Sequence, residues 1–135
     1  MVTLDTSALV AILNPRDPDH ARMVALIDAE PGSLFVPVAA LSEVSYFIER
    51  DHGAFVLAAF LQDLIDGAYS LDCGERDWYR VQQLVNRYAG LPLGLADAAV
   101  IACAERHGGQ VATLEPEEAT VDLTRARSQA DACVP

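Results

Sequence analysis

Residues 1–13, MVTLDTSALVAIL, carry the strongest structural signal in the chain. The first four residues form a short apolar run typical of a buried β-strand, and this run stops at Asp5. From Leu9 to Leu13, apolar residues recur at helical spacing. The segment therefore predicts a strand that leads directly into a helix, with a carboxylate at the junction.

Short apolar strands alternate with helical patterns along the rest of the chain. Further strands are predicted at residues 34–36, 69–71 and 110–114. The intervening segments show six helical patterns, with Gly53 separating the third from the fourth. This alternation favours an α/β fold with a short, mainly parallel sheet and helices on both faces.

Length and composition limit the classes of protein to which the chain can belong. It has 135 residues, of which 52% are hydrophobic, so we expect a single domain over residues 1–135, with an acidic tail of unassigned structure at residues 116–135. The net charge is −11, and all nine cations are arginine. The absence of lysine excludes a Schiff base and a Walker phosphate loop. The acidity argues against a nonspecific nucleic-acid coat.

Cysteine usage and hydropathy indicate the compartment. Cys73, Cys103 and Cys133 are odd in number and widely separated, so neither a disulfide framework nor a zinc knuckle is predicted. The amino terminus lacks the basic region of a secretory signal, and no apolar run approaches the length of a membrane span. We therefore expect a cytoplasmic protein that does not contact membranes.

Four acidic residues fall at the predicted carboxyl ends of the strands: Asp5, Glu43, Asp97 and Glu115. Ligands of parallel α/β sheets bind at this edge, so we expect the four carboxylates to converge there. Clustered carboxylates repel one another, and in a chain without lysine the natural neutralising partner is a hard cation such as Mg²⁺, with Mn²⁺ as an alternative. Such a site suits phosphodiester hydrolysis.

Each acid also has a structural explanation when it is considered alone. Asp5 and Asp97 could stabilise the starts of helices. Glu43 could lie on an exposed stripe of its helix, and Glu115 opens an acidic run typical of a solvated helix N-terminus. The prediction of a metal site therefore depends on the joint pattern and not on any one residue.

Three segments, together with Glu43, resemble a known family: residues 4–9 (LDTSAL), 94–99 (GLADAA) and 112–115 (ATLE). The pattern resembles PIN-domain proteins and, within them, the VapC toxins of VapBC toxin–antitoxin pairs. The resemblance implies a three-layer α/β/α sandwich and Mg²⁺-dependent endoribonuclease activity on structured RNA such as tRNA or rRNA. It also implies a VapB-type antitoxin that blocks the site, and a homodimer.

The resemblance also implies specific site residues. The acidic quartet of the family corresponds to Asp5, Glu43, Asp97 and Glu115. The first three would bind the metal ion. The supporting hydroxyl groups would come from Thr6, Ser7 and Thr113. The family usually has Asp at the fourth position, so Glu115 departs from the pattern.

The overall negative charge limits how RNA and a second subunit can bind. We expect a few arginines to contact phosphates near the site, and the candidates are Arg16, Arg50 and Arg87. Apolar residues of the third to fifth predicted helices are candidates for a dimer interface, although ordinary core packing is the favoured explanation for most of them. These residues are Tyr46, Phe47, Phe55 and Phe60.

Other functions compete with that of a ribonuclease toxin. A haloacid-dehalogenase-like phosphatase also has an Asp after its first strand, but it needs a second Asp where Ser7 stands. Like a response-regulator receiver, it uses a lysine that this chain lacks. The alternative that stays open is a catalytically weak or inactive PIN-fold binding module held by an antitoxin, which Glu115 and the acidic tail favour.

Overall fold

The computed structural model describes residues 1–91 and 93–114 of the chain. Its four β-strands are β1 (Val2–Leu4), β2 (Leu34–Pro37), β3 (Ser70–Asp72) and β4 (Val111–Ala112). Its five α-helices are α1 (Thr6–Leu13), α2 (His20–Asp28), α3 (Leu41–Ile65), α4 (Trp78–Arg87) and α5 (Leu95–Arg106). A 3₁₀ turn, Val38–Ala40, joins β2 to α3.

The strands form one parallel sheet in the order β3-β2-β1-β4. Thr3 of β1 pairs with Phe35 of β2 on one side and with Val111 of β4 on the other, and Phe35 also pairs with Ser70 of β3. The chain moves outward from β1 to β3 and then returns to the opposite side of β1. The topological switch point therefore lies between β1 and β4, where α/β sheets of this kind bind their ligands.

Helices cover both faces of the sheet. On one face, α1 and α3 pack against β1 and β2 in a core that includes Leu4, Leu9, Val36, Ile48 and Phe60. On the other face, α5 lies against the sheet, and α4 packs against α5 around Val81, Leu84 and Ile101. The predicted α/β fold with a parallel sheet between two helical layers is confirmed.

The α5 helix is central to the second layer. Its residues from Ala98 to Ala104 are all buried, because the helix contacts the sheet on one side and α4 on the other. The Thr3 hydroxyl donates a hydrogen bond to Cys103 Sγ at 3.6 Å, and the Phe35 ring stacks on His107 with 3.7 Å between ring centroids. Burial on several sides explains why these residues form a continuous apolar run instead of an apolar stripe.

A short turn separates α1 from α2, which begins at His20. The Asp17 carboxylate accepts the Asp19 backbone N–H at 2.8 Å and so stabilises this turn before the helix. Among the described helices, we find none with the length and apolar character needed to cross a membrane.

The predicted separation between the third and fourth helices is confirmed as a break inside α3. Gly53 has φ 80° and ψ 175°, whereas the residues around it are helical. This region of backbone conformation is essentially restricted to glycine. Gly53 therefore redirects the chain between the part of α3 that carries Glu43 and the part that carries Phe60.

Gly53→Ala should lower the free energy of unfolding by about 1–3 kcal/mol, because an alanine there would hold a backbone conformation that favours glycine. An added Cβ meets no described atom within 4 Å, so a steric clash makes no contribution. Gly90→Ala is the matched control, since its Cβ also has open space and its φ is not positive. Urea unfolding followed by circular dichroism measures both variants. Equal midpoints would contradict the assignment.

Candidate active site

Asp5 lies at the centre of the carboxyl edge, between β1 and α1. Its Oδ1 accepts hydrogen bonds from the Ala8 backbone N–H at 2.7 Å and from Ser7 Oγ at 2.8 Å, so this oxygen caps α1. Within the described part of the chain, its Oδ2 receives no hydrogen bond. The Asp5 carboxylate therefore caps α1 through Oδ1, as the structural explanation for this residue predicts. Its Oδ2 can still bind a ligand.

Ser7 connects the start of α1 to the end of β4. Its Oγ donates to Asp5 and accepts the Leu114 backbone N–H at 3.0 Å. The backbone N–H of Asp5 in turn donates to the Ala112 carbonyl at 3.2 Å. These bonds bridge the two strands that flank the topological switch point. They hold the Asp5 carboxylate at a position defined by both strands.

Glu43 lies beside Asp5, at the end of the neighbouring strand. It is in the first turn of α3, which follows β2 through the 3₁₀ turn. The Thr6 hydroxyl donates to Glu43 Oε2 at 2.9 Å. Because Thr6 directly follows Asp5, this bond brings the two predicted acids to the same part of the sheet edge. Glu43 is half-buried, so its carboxylate is partly removed from solvent.

Asp97 occupies the first turn of α5, where its Oδ2 accepts the Gly94 backbone N–H at 3.4 Å. This contact resembles a capping box and agrees with the structural explanation for an acid at this position. Residues 107–110 connect α5 to the start of β4, so α5 runs opposite to the strands. Its first turn is therefore directed toward the same edge as Asp5 and Glu43.

The segment after β4 was expected to supply the last two site residues. Thr113 directly follows β4 and is half-buried between Ala112 and Leu114, whose backbone groups bond to Asp5 and Ser7. It lies at the same edge. Glu115 and the acidic tail fall outside the described residues, so the predicted fourth acid stays a prediction.

Asp5 and Glu43 have no protein cation beside them in the part of the chain that the structure describes. Neither Asp5 nor Glu43 takes part in an ion pair with a described Arg, His or the amino terminus. Their hydrogen-bond partners are neutral hydroxyl and backbone groups. Neighbouring carboxylates supported only by neutral donors favour binding of an external cation.

A second cluster of charged side chains, which we did not predict from sequence, joins α5 to β3 and α4. Arg106 donates to both oxygens of Asp72 and to both oxygens of Asp77, the latter at 2.8 and 2.7 Å. His107 Nε2 lies 2.7 Å from Asp72 Oδ2. The Arg106 hydrogen bonds hold the pKa of Asp72 below its ordinary value. We call these four residues the Arg106 cluster.

The cluster borders a group of possible metal ligands. The ligand atoms of Asp72, Cys103 and His107 all lie within 4.8 Å of one another. Burial raises the pKa of the Cys103 thiol to about 11, so the group is protonated at neutral pH, and Arg106 already bonds both Asp72 oxygens. An ion-pair hub explains this group better than a metal centre. Residues three and four apart on a helix lie on the same face. The spacing of Cys103, Arg106 and His107 is therefore the sequence signal from which this group of side chains could have been predicted.

The predicted RNA-contacting arginines differ in their surroundings. Arg50 pairs with Asp51 at 2.7 Å and lies over the Phe47 ring, 4.9 Å from its centroid. Arg87 lies in the last turn of α4, and Arg16 is exposed in the turn after α1. Arg50 therefore has an acidic partner next to it in the chain.

The predicted dimer-interface aromatics differ in burial, and Phe47 is half-buried. Phe60 is 1% exposed and belongs to the core, so core packing explains it. Tyr46 is 60% exposed and Phe55 is 89% exposed on α3. These two remain available to a second subunit.

Arg106→Gln should destabilise the fold by about 1–2 kcal/mol at neutral pH, because it removes the cation shared by Asp72 and Asp77. The Arg106 pairing lowers the pKa of Asp72. Its contribution to stability is therefore complete above the ordinary carboxyl pKa of about 4 and disappears as the pH falls through the lowered value. The stability difference between wild type and variant should decrease below that pH.

Urea unfolding over a pH series from neutral to acidic conditions measures this difference. Arg50→Gln serves as the control, because the Arg50–Asp51 pair is exposed and its loss should leave the unfolding midpoint nearly unchanged. A difference for Arg106→Gln that stays constant through the acidic range would contradict the proposed role of the Asp72 carboxylate.

Comparison with known proteins identifies a family, a relative and a solved structure with a similar fold. Residues 2–122 match the family model of the PIN domain. Over 105 residues the chain is 32% identical to Ribonuclease VapC26 of Mycobacterium tuberculosis, a match that covers 77% of this chain and 78% of that protein. The crystal structure of Mycobacterium tuberculosis VapC20, described as a sarcin-ricin loop cleaving toxin, has a TM-score of 0.75 at 15% identity and covers 90% of this chain and 95% of that one. At 15% identity, the match to VapC20 shows a similar fold.

Proposed function

Because this chain belongs to the PIN-domain family, we propose that it is a metal-dependent endoribonuclease and the toxin of a type II toxin–antitoxin pair. The observation that carries the proposal is the position of Asp5 and Glu43 at the ends of neighbouring strands, each held by neutral donors and without a protein cation among the described residues. Such a site requires a cation and is positioned for a ligand at the sheet edge.

The donor set fits a divalent cation. Hydrogen bonds engage Asp5 Oδ1 and Glu43 Oε2, and in residues 1–91 and 93–114 no hydrogen bond reaches the second oxygen of either carboxylate. Asp97 adds a third carboxylate from α5. Hard oxygen ligands of this kind are those that Mg²⁺ prefers, and Mn²⁺ accepts them as well. We propose that these three acids hold the metal ion.

The protein's own residues prepare this site for the reaction. When bound, the divalent ion would supply an activated water and neutralise charge on the phosphodiester. Ser7 and the Ala8 backbone hold Asp5, and Thr6 holds Glu43, before substrate arrives. Because these carboxylates are already positioned, little reorganisation is needed during the reaction. Thr113 and Glu115 would complete the site from the segment after β4.

The proposed partners follow from the charge of the site and from the relatives. VapC20 is described as cleaving the sarcin-ricin loop, and we propose a structured RNA, tRNA or rRNA, as substrate here, with the activity in the cytoplasm. Arg16, Arg50 and Arg87 are the proposed phosphate contacts. An arginine of a VapB-type antitoxin would pair with the carboxylates in place of the metal ion.

A homodimer is also proposed. The exposed rings of Tyr46 and Phe55 lie on α3, on either side of the break at Gly53. Burial of exposed aromatic rings is a common source of affinity between subunits.

Asp5→Asn and Asp97→Asn should each reduce RNA cleavage at least about 100-fold, because both variants lose a charged metal ligand. The asparagine side chain of the first variant can still cap α1, since Asn is as good an N-cap as Asp, so the fold should be retained. Asp28→Asn is the control, because Asp28 is an exposed acid at the end of α2, the helix that precedes the start of β2. Sequencing the 5′ ends of RNA from cells that briefly express each protein measures cleavage and identifies the target.

Retained cleavage in both folded variants would remove Asp5 and Asp97 from the mechanism. A second outcome concerns the competing function: metal binding by the wild-type protein, without a new 5′ end in any cellular RNA, would favour an inactive binding module held by an antitoxin.

Thr6→Val should raise the Mg²⁺ concentration needed for half-maximal cleavage about tenfold, because it removes the hydrogen bond that orients Glu43. Thr6→Ser keeps the hydroxyl and should restore most of the lost metal affinity. Cleavage of the identified RNA at a series of Mg²⁺ concentrations measures the effect. Equal Mg²⁺ requirements in Thr6→Val and wild type would show that Glu43 needs no support from Thr6.

A further inference from the structure

A cleft opens at the carboxyl edge of β2 and β3, next to the proposed metal site. It is bounded by the end of β2, the 3₁₀ turn, the β3–α4 connection and the adjoining parts of α4 and α5. Residues that line it include Pro37, Ala39, Asp72, Asp77, Trp78 and Ala99. Its empty volume, including the part open to solvent, is about 270 Å³. Because this volume includes open solvent, the enclosed part of the cleft is much smaller, and a ligand there would lie mostly on the surface.

The cleft is close enough to the metal site to bind a neighbouring part of the same substrate. Ala99 is two residues beyond Asp97 in α5, and Ala39 lies in the turn that leads to Glu43. Adjacent strands are about 4.8 Å apart, so the end of β3 lies roughly 10 Å from the end of β1. A nucleotide that flanks a phosphodiester bound at Asp5 can span this distance.

Trp78 lines the cleft without belonging to the core. It is the first residue of α4 and is 57% exposed, although its neighbour Asp77 is buried. Neither of the two buried apolar clusters includes it. A large aromatic ring beside a cleft, with most of its surface in solvent, is the feature on which proteins stack unpaired bases.

The charge of the cleft suits a base rather than a phosphate. The carboxylates of Asp72 and Asp77 share the single guanidinium of Arg106, which leaves an excess of negative charge when His107 is neutral. Phosphate would be repelled. Each carboxylate has about four acceptor positions. The described contacts from Arg106 and His107 use three on Asp72 and two on Asp77, so each retains an acceptor position. An exocyclic amino group, as in adenine, cytosine or guanine, is a matching donor that uracil lacks.

The Arg106 cluster also holds this cleft in shape. Arg106 joins Asp72 at the end of β3 to Asp77, the residue before α4, and so fixes the start of the helix that carries Trp78. Gly74 in the connection has φ 59°, and a Cβ there would lie 3.2 Å from an Asp77 oxygen. A recognition surface that is rigid before binding loses less conformational entropy when its ligand arrives.

We infer that this cleft is a nucleobase subsite, in which an unpaired, amino-bearing base next to the cleaved bond stacks on Trp78 and donates hydrogen bonds to Asp72 or Asp77. The inference rests on the proposed ribonuclease function and adds to it a specificity-determining residue that the metal chemistry does not require. It predicts that Trp78 contributes to substrate binding and not to the chemical step.

Trp78 is the single tryptophan of the chain, so its intrinsic fluorescence reports directly on the cleft. The full-length Asp5→Asn protein, which should bind RNA without cleaving it, is titrated in Mg²⁺ with short single-stranded oligoadenylate, oligocytidylate and oligouridylate. We expect saturable quenching, at lower concentrations of the first two than of oligouridylate. An unchanged emission at concentrations that saturate RNA binding in a filter assay would overturn the inference.

Kinetics on the identified RNA provide the second measurement. Trp78→Ala should raise KM about tenfold with little change in kcat, because one base-stacking contact is lost. Trp78→Phe should keep KM within about threefold of wild type, since a phenyl ring still stacks. Tyr79→Ala is the control, because Tyr79 is 73% exposed on the same helix but does not line the cleft. Circular dichroism checks that each variant is folded.

The results separate this inference from the proposed function. Cleavage by the wild-type protein, together with an unchanged KM in both Trp78 variants, would overturn the subsite and leave the ribonuclease intact. Loss of kcat instead of a rise in KM would also overturn it. Absence of any RNA cleavage by the wild-type protein would overturn the proposed function, whereas base-dependent quenching of Trp78 would still support the cleft as a nucleobase site.

Discussion

The hydrogen bonds to Asp5 Oδ1 hold the centre of this molecule together. This oxygen caps α1 through Ala8 and accepts the Ser7 hydroxyl, which in turn accepts the Leu114 backbone N–H after β4. The first strand, its helix and the last strand are thereby joined at one carboxylate. Because only one of its oxygens is used in this way, the same residue can stabilise the fold and present a ligand. The structural and functional explanations of Asp5 are therefore compatible.

Two clusters of acids in this strongly acidic chain differ in the groups that surround their negative charges. Asp72 and Asp77 share Arg106, and the result is a link between β3, α4 and α5 that needs no ligand. Asp5 and Glu43 receive only neutral donors from the described part of the chain. The first cluster contains its own cation, whereas the second has none among the described residues. This difference, more than the number of acids, distinguishes a structural site from a candidate metal site.

Both clusters border the same edge of the sheet, and this arrangement gives the edge two distinct surfaces. The switch point between β1 and β4 presents carboxylates suited to a metal ion and a phosphodiester. The end of β3 presents an aromatic ring and carboxylates with an excess of negative charge, which suit the donor groups of a base. A negatively charged protein can thus bind RNA locally, through a cation and through base contacts, without a broad basic surface.

Local features of the sequence were sufficient for the strand–helix junction at Asp5 and for the break at Gly53. The apolar spacing that predicts a strand or a helix, and the conformational freedom of a glycine, are local properties of the chain. Predictions based on them therefore agree with the structure. The predicted strand ends and the family resemblance indicated the same four acidic positions, of which Glu115 lies outside the described residues. Contacts between distant residues became visible only in the folded chain. The bond from Leu114 to Ser7 joins residues 107 positions apart, and Arg106 reaches Asp72 across 34. No local pattern specifies which strands become neighbours or which ions meet, because packing of the helices on both faces sets the strand order. The Arg106 cluster and the cleft beside Trp78 exist for that reason.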